Sequence, residues 1–116
     1  MRYLLLIGSD SKNPGPPPSP AQMEAILQGH MRLGEQLRAA NKVVAAERLR
    51  PDSDGTRVRV KAGQPQVMDG PFTETKEAIG GFYLIECDTK AEAVEWAKKV
   101  PLGDGGFVEI RPIWPM

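Results

Sequence analysis

Cysteine and histidine are scarce in this chain of 116 residues, which has one of each. A single thiol, Cys87, has no partner for an intramolecular disulfide, and with so few candidates no four-ligand Cys/His zinc site can be assembled. Net charge is absent as well. Lys+Arg and Asp+Glu each count 15, so the broad basic footprint of a nucleic-acid binder is missing, as is a field that would hold the chain to a membrane surface. Long apolar runs are also lacking: Tyr3 to Ile7 is too short for the core of a secretion signal or for a bilayer span. What is present, 41% hydrophobic and 26% charged residues, suits a packed globular domain. The length allows one such domain, covering 1–116. These features predict a reduced, cytoplasmic protein with no cofactor motif, no direct nucleic-acid partner and no membrane partner.

Proline is plentiful but clustered, with five of the 11 falling between Pro14 and Pro20. A fixed φ and a missing N–H exclude helix and central strand there, so Gly8 to Ser19 is expected to be a long extended connection. It follows residues 2–7, which are apolar on both faces as in a central strand. Ser19-Pro20-Ala21-Gln22 then supplies an N-cap, a proline at the first helical position and a capping-box partner. The predicted helix runs to about Ala40, with Met23, Ile26, Leu27, His30, Leu33 and Leu37 on one stripe. Asn41 stops it, and 42–49 reads as a second strand.

Val58 and Val60 alternate with Arg57, Arg59 and Lys61 up to Ala62-Gly63, a turn into residues 64–69. A two-residue turn pairs Val58 with Val67 and Thr56 with Asp69, which puts Asp69 on the apolar face of the hairpin. Residues 70–79 form a polar loop, and 82–87 a strand. Thr89-Lys90-Ala91-Glu92 repeats the capping box and opens a helix with Ala93, Trp96, Ala97 and Val100 inward; 107–113 is the last strand. The order β-α-β, hairpin, β-α-β describes an α+β fold, a ferredoxin-like sandwich with an inserted β-hairpin.

Zero net charge conceals an asymmetry. Between Arg38 and Lys61 there are seven basic and three acidic residues, and between Asp69 and Glu95 two basic and seven acidic. Such blocks meet within the fold or across a symmetric interface.

His30 is the one side chain whose unperturbed pKa lies in the physiological range, and helical spacing puts it on the buried stripe. The plainer alternative is a satisfied core histidine. Gly34, one turn on, is expected to leave space under the helix, and Asp69 offers a carboxylate able to fix the imidazole tautomer for general-base work. Glu74, Lys76 and Glu77 suit a solvated turn or a set of groups closing over a site. Glu47 and Arg48 suit a structural ion pair, and Arg57, Arg59 and Lys61 a solvated strand face. Cys87 has no electropositive neighbour in sequence and reads as packing. Gly80-Gly81 is not a phosphate loop, since no helix follows.

The stretch Asp69-Gly70-Pro71-Phe72-Thr73-Glu74-Thr75-Lys76-Glu77, with Gly80-Gly81-Phe82-Tyr83-Leu84-Ile85 after it, resembles the D-G-P-F branch of the YCII-related family, whose signature is D-G-P-F-A-E-T-K-E followed by G-G-Y/F-Y. Thr73 replaces the usual alanine, and the Pro-rich segment 14–20 lies outside the pattern. Glu47-Arg48-Leu49, Glu92 to Ala97 and Val108 to Pro112 extend the similarity over nearly the whole chain. The resemblance implies a ferredoxin-like fold paired into a dimeric α/β-barrel, hence a homodimer. It further implies a catalytic pair, with His30 in the place of the family's first-helix histidine and Asp69 in that of its aspartate. Members of the branch are often found near alternative sigma factors, which implies a functional link to sigma-factor-dependent transcription.

The expectation is therefore a small homodimeric enzyme acting on a small metabolite by elimination or hydrolysis. His30 and Asp69 would be catalytic, and Glu74, Lys76, Glu77, Tyr83 and Arg48 would bind the substrate, without metal or cofactor. The alternative is a non-catalytic ligand-binding or regulatory module.

Overall fold

The computed structural model describes the whole chain except residues 11–15, 73–76 and 116. Its elements are β1 (Arg2–Asp10), α1 (Pro20–Ala39), β2 (Val43–Arg48), β3 (Thr56–Lys61), β4 (Gln64–Asp69), β5 (Glu77–Glu86), α2 (Lys90–Ala97) and β6 (Gly106–Pro112). Four strands form an antiparallel sheet in the order β2-β5-β1-β6, and β3 pairs with β4 as a separate two-stranded sheet. With β3–β4 set aside, this is the strand order of two interleaved β-α-β units, compatible with a ferredoxin-like sandwich. Among the described residues no helix is long and apolar enough to cross a membrane.

Strand alternation decides which residues meet the helices. Tyr3 and Leu5 of β1 pair with Ile85 and Tyr83 of β5, and all four are buried with Leu33 and Leu37 of α1 and Ala93 and Ala97 of α2. Both helices therefore pack on one face of the sheet. Each large side chain buried this way contributes roughly 1.5–3 kcal/mol. Leu4, Leu6, Leu84, Phe82 and Phe107 alternate onto the other face, where they are half-buried among one another.

The helix ends follow their signals. Ser19 Oγ accepts from the Gln22 N–H while Gln22 Oε1 accepts from the Ser19 N–H, completing the capping box. Asn41 takes a left-handed conformation (φ 58°) just past the end of α1. Thr89 caps α2 by accepting from the Glu92 N–H, but the Glu92 carboxylate accepts from the Asp88 N–H and not from that of Thr89, so the expected second capping box is half formed. The hairpin turns at Ala62 and Gly63, both at positive φ, with Val58 opposite Val67 and Thr56 opposite Asp69.

Three expectations need correction. First, β1 does not stop at residue 7. Gly8 and Ser9 stay in the sheet between β5 and β6, because the prolines that forbid strand start only at Pro14. Second, the polar loop ends earlier than composition suggests, since β5 begins at Glu77. Third, the apolar stripe of α1 is sunk at one end only. Leu33 and Leu37 are buried, whereas Met23 and Leu27 are exposed and Ile26 and His30 half-buried. The first half of the helix stands off the sheet.

Candidate functional site

That offset leaves a cavity of about 340 Å³ beneath the first half of α1. Its roof is Met23, Ile26, Leu27 and His30, and its floor and rim include Tyr83, Phe82, Gly80–Gly81 and the end of β2 from Ala46 to Arg48. A second space of about 620 Å³ adjoins it on the β6 side, walled by Pro16, Pro18, Pro101 and Asp104. His30, Ile7, Ile26 and Gly80 belong to both, so the imidazole stands where the two meet. At this point β5 carries an extra residue: Ile7 pairs with Gly81 and Gly8 with Ile79, which leaves Gly80 as a bulge. Bulges re-aim side chains and often border functional sites.

His30 Nδ1 lies 2.7 Å from the Tyr83 hydroxyl, and the two rings stack at 6.0 Å between centroids, 13° apart. A phenol serves a neutral imidazole either way round. When Nδ1–H donates to the phenol oxygen, Nε2 carries a lone pair and the ring is a base. Burial lowers the His30 pKa below its ordinary value, and the Arg48 guanidinium lowers it further. Burial likewise raises the Tyr83 phenol. At neutral pH both groups are uncharged, in a largely apolar enclosure.

Gly29, next to His30, sets the height of this roof. A Cβ there would sit 2.5 Å from Cγ of Pro101 and 3.2 Å from its Cβ, so α1 approaches the 101–106 segment as closely as it does only because residue 29 has no side chain. Gly34 plays no such part: the three atoms nearest a Cβ there all belong to the Arg38 guanidinium of the same helix, the first at 3.4 Å. The sequence singled out the wrong glycine, because periodicity gives a direction and not the neighbour in that direction.

Of the residues expected to act together, the structure gathers His30, Tyr83 and Arg48 around one cavity. It does not bring Asp69 there. Asp69 ends β4 and accepts a hydrogen bond from Thr56 Oγ1 at 2.9 Å. Nor is its face of the hairpin buried, since Val58, Val60 and Val67 are 62%, 76% and 71% exposed. Among the described residues the polar group against the imidazole is the Tyr83 phenol. Glu77 opens β5 opposite Asp10, away from the cavity lining. Glu74 and Lys76 lie outside the described residues. Glu47 and Arg48 form no ion pair, because neighbours in a strand face opposite sides: Glu47 lies opposite Phe82 and Arg48 opposite Gly81.

The Asp-Gly-Pro-Phe stretch is a clasp at the base of the hairpin. The Gly70 N–H donates to Gly55 O, and a Cβ on Gly70 would stand 2.0 Å from Asp52 O, so only glycine fits against the 3-10 turn Asp52–Asp54. The Gly70–Pro71 peptide is cis, and the Arg57 guanidinium lies 4.1 Å above the Phe72 ring. The basic and acidic blocks meet at Lys42–Glu92, 3.1 Å apart. That contact raises the Lys42 pKa and lowers that of Glu92. Cys87 is buried and its thiol is pushed up to about 11, chiefly by that burial. Among the described residues no cluster of His, Cys, Asp or Glu is placed to hold a metal ion.

Sheet order and two helices on one face make this an α+β fold compatible with a ferredoxin-like sandwich, with a histidine-bearing cavity under its first helix. Within that class the chain belongs to the YCII-related domain family, whose sequence profile matches residues 1–116. It is similar to an uncharacterized protein of Rhizobium meliloti (strain 1021), with 41% identity over 76 residues. The match covers 64% of this chain and 61% of that protein, less than two thirds of the relative's length.

Proposed function

We propose that this YCII-related chain binds a small metabolite beneath α1 and transfers a proton to or from it, with His30 as the base and Tyr83 as the group that orients it. The observation carrying the proposal is the half-buried imidazole, held uncharged at 2.7 Å from the Tyr83 hydroxyl, at the junction of two cavities. A satisfied core histidine would be packed on every side; this one borders empty space. A base whose pKa lies below the ordinary value is unprotonated in neutral solution. Proton abstraction α to a carbonyl, elimination and base-assisted hydrolysis all use such a group, and general-base assistance contributes about 10²–10⁴-fold.

The same chain is proposed to act as a homodimer joined through the helix-free face of the four-stranded sheet. Leu4, Leu6, Phe82, Leu84 and Phe107 make that face apolar, and a sheet with one uncovered apolar face gains by burying it. Leu84→Glu should then shift the mass in solution from dimer to monomer, measured by light scattering.

The functional test is a metabolite screen read by turnover and by ligand binding, on the native protein, His30→Gln and Tyr83→Phe. The expected result is turnover lost in His30→Gln and reduced in Tyr83→Phe, with binding retained in both. Turnover indifferent to His30 would overturn the base assignment. Binding without turnover in the native protein would instead mark a non-catalytic, regulatory module.

A further inference from the structure

Arg48 is a charge without an ion-pair partner among the described residues, in a cavity whose one other charged lining residue, Glu47, alternates onto the opposite face of the sheet. It closes β2, and register puts it on the helix side of the sheet, opposite Gly81 and two residues after Ala46, which lies opposite Tyr83. It lines the cavity, and its field reaches His30. Arg2, Arg50 and Arg111 each hold a carboxylate; Arg48 has no such partner among the described residues. The neighbouring Glu47 lies close to Gly81 through its backbone oxygen, while alternation turns its side chain to the other face.

We propose that the cavity selects a small carboxylate with an apolar body, its anionic end held by the Arg48 guanidinium and its body against Met23, Ile26 and Leu27. The proposal deepens the reading of this cavity as a ligand site. A guanidinium grips a carboxylate through two parallel N–H donors, stronger and more directional than a neutral contact. A cationic ligand would be repelled, and a neutral one would cover the guanidinium without compensating it. His30, being uncharged, neither competes for the anion nor repels it. Size narrows the class further: 340 Å³ equals about eleven waters at ~30 Å³ each, the scale of a phenyl-substituted short acid. The carboxylate at Arg48 and the imidazole above the same floor put the carbons next to the acid group within reach of the base.

The test uses 3-phenylpropanoate, its amide and the corresponding amine, each titrated against the native protein and Arg48→Gln while the single imidazole is followed by NMR. The carboxylate should shift the imidazole signals and raise their pKa, because pairing cancels the field of Arg48. Its affinity should fall at least tenfold in Arg48→Gln, and the amide and amine should bind more weakly than the acid to the native protein. Arg48 is exposed, so its replacement should leave the melting temperature unchanged, which checks the fold. Equal binding of acid and amide would overturn the proposal, as would an affinity indifferent to Arg48. So would the absence of any shift at ~10 mM, where even a millimolar site is filled. Arg48-dependent binding with no turnover of any compound would sink the acid–base reading and leave the anion site standing. His30-dependent turnover without charge preference would do the reverse.

Discussion

Gly29→Ala sets two calculable effects against each other. In an exposed helix interior the exchange stabilises by up to ~1 kcal/mol, since glycine loses more backbone freedom on folding. Here the new methyl would lie 2.5 Å from Cγ of Pro101, about 1–1.5 Å inside ordinary carbon–carbon contact of ~3.5–4 Å. A proline ring has no rotamer by which to swing aside, and overpacking of this kind costs ~1–3 kcal/mol. The clash therefore wins, with a net loss of about 0–2 kcal/mol. The first half of α1 is held by few buried side chains, so the helix gives way rather than Pro101. His30 is the next residue, and a shift of ~1 Å takes its 2.7 Å contact with Tyr83 beyond hydrogen-bond range. Urea unfolding gives the stability and NMR of the imidazole gives the local change; both should move together. Gly29→Ala with Pro101→Ala removes the offending Cγ and should recover stability, leaving a coupling energy of opposite sign to the single-site loss. A Gly29→Ala protein that is ~1 kcal/mol more stable, with an unchanged imidazole signal, would refute the reasoning.

Stability should depend on pH through His30. Its pKa is lower folded than its ordinary 6.5, so as pH falls below that value the unfolded chain takes the proton first. The stabilisation is complete above pH 6.5 and is lost as pH falls through the folded value, then levels off. Urea midpoints across this range should show the slope in the native protein and lose it in His30→Gln. Ser19→Ala removes one arm of the capping box and should cost ~1 kcal/mol; because it frays the cavity roof, the imidazole resonance should broaden too, and a sharp signal would count against this. Cys87, buried with its thiol raised to about 11, should resist a thiol reagent at mildly alkaline pH until the protein unfolds. Rapid labelling of the native state would show that α2 opens more easily than its packing implies.

The parts of the fold that depend on local chemistry could be read from the chain. Ser19, Asn41 and Thr89 end helices through contacts within a few residues, and Ala62-Gly63 fixes the hairpin register outright. The hidden parts depend on distant neighbours. Helical spacing put Met23 and Leu27 on the same stripe as Leu37, but periodicity cannot say that the sheet reaches one end of the stripe and not the other. The His30–Tyr83 contact joins residues 53 apart. A signal for it existed: Tyr83 is a hydroxyl in an apolar strand and His30 an imidazole on an apolar helix face, and two such groups on facing surfaces satisfy each other. For Asp69 the alternation is legible but the surroundings are not: Val58, Val60 and Val67 beside it are exposed, and alternation carries no information on what covers a face.

The Asp-Gly-Pro-Phe clasp bears on how likeness between proteins should be interpreted. Its glycine fits against a backbone oxygen, its phenylalanine carries an arginine and its aspartate ties two strand ends; none of the three lines the cavity. Chains that share this stretch share joinery, and joinery says little about trade. Whether two of them handle the same compound is written elsewhere, in the residues corresponding to His30, Arg48 and Tyr83. Two relatives with identical clasps and different cavities should be sorted by the latter.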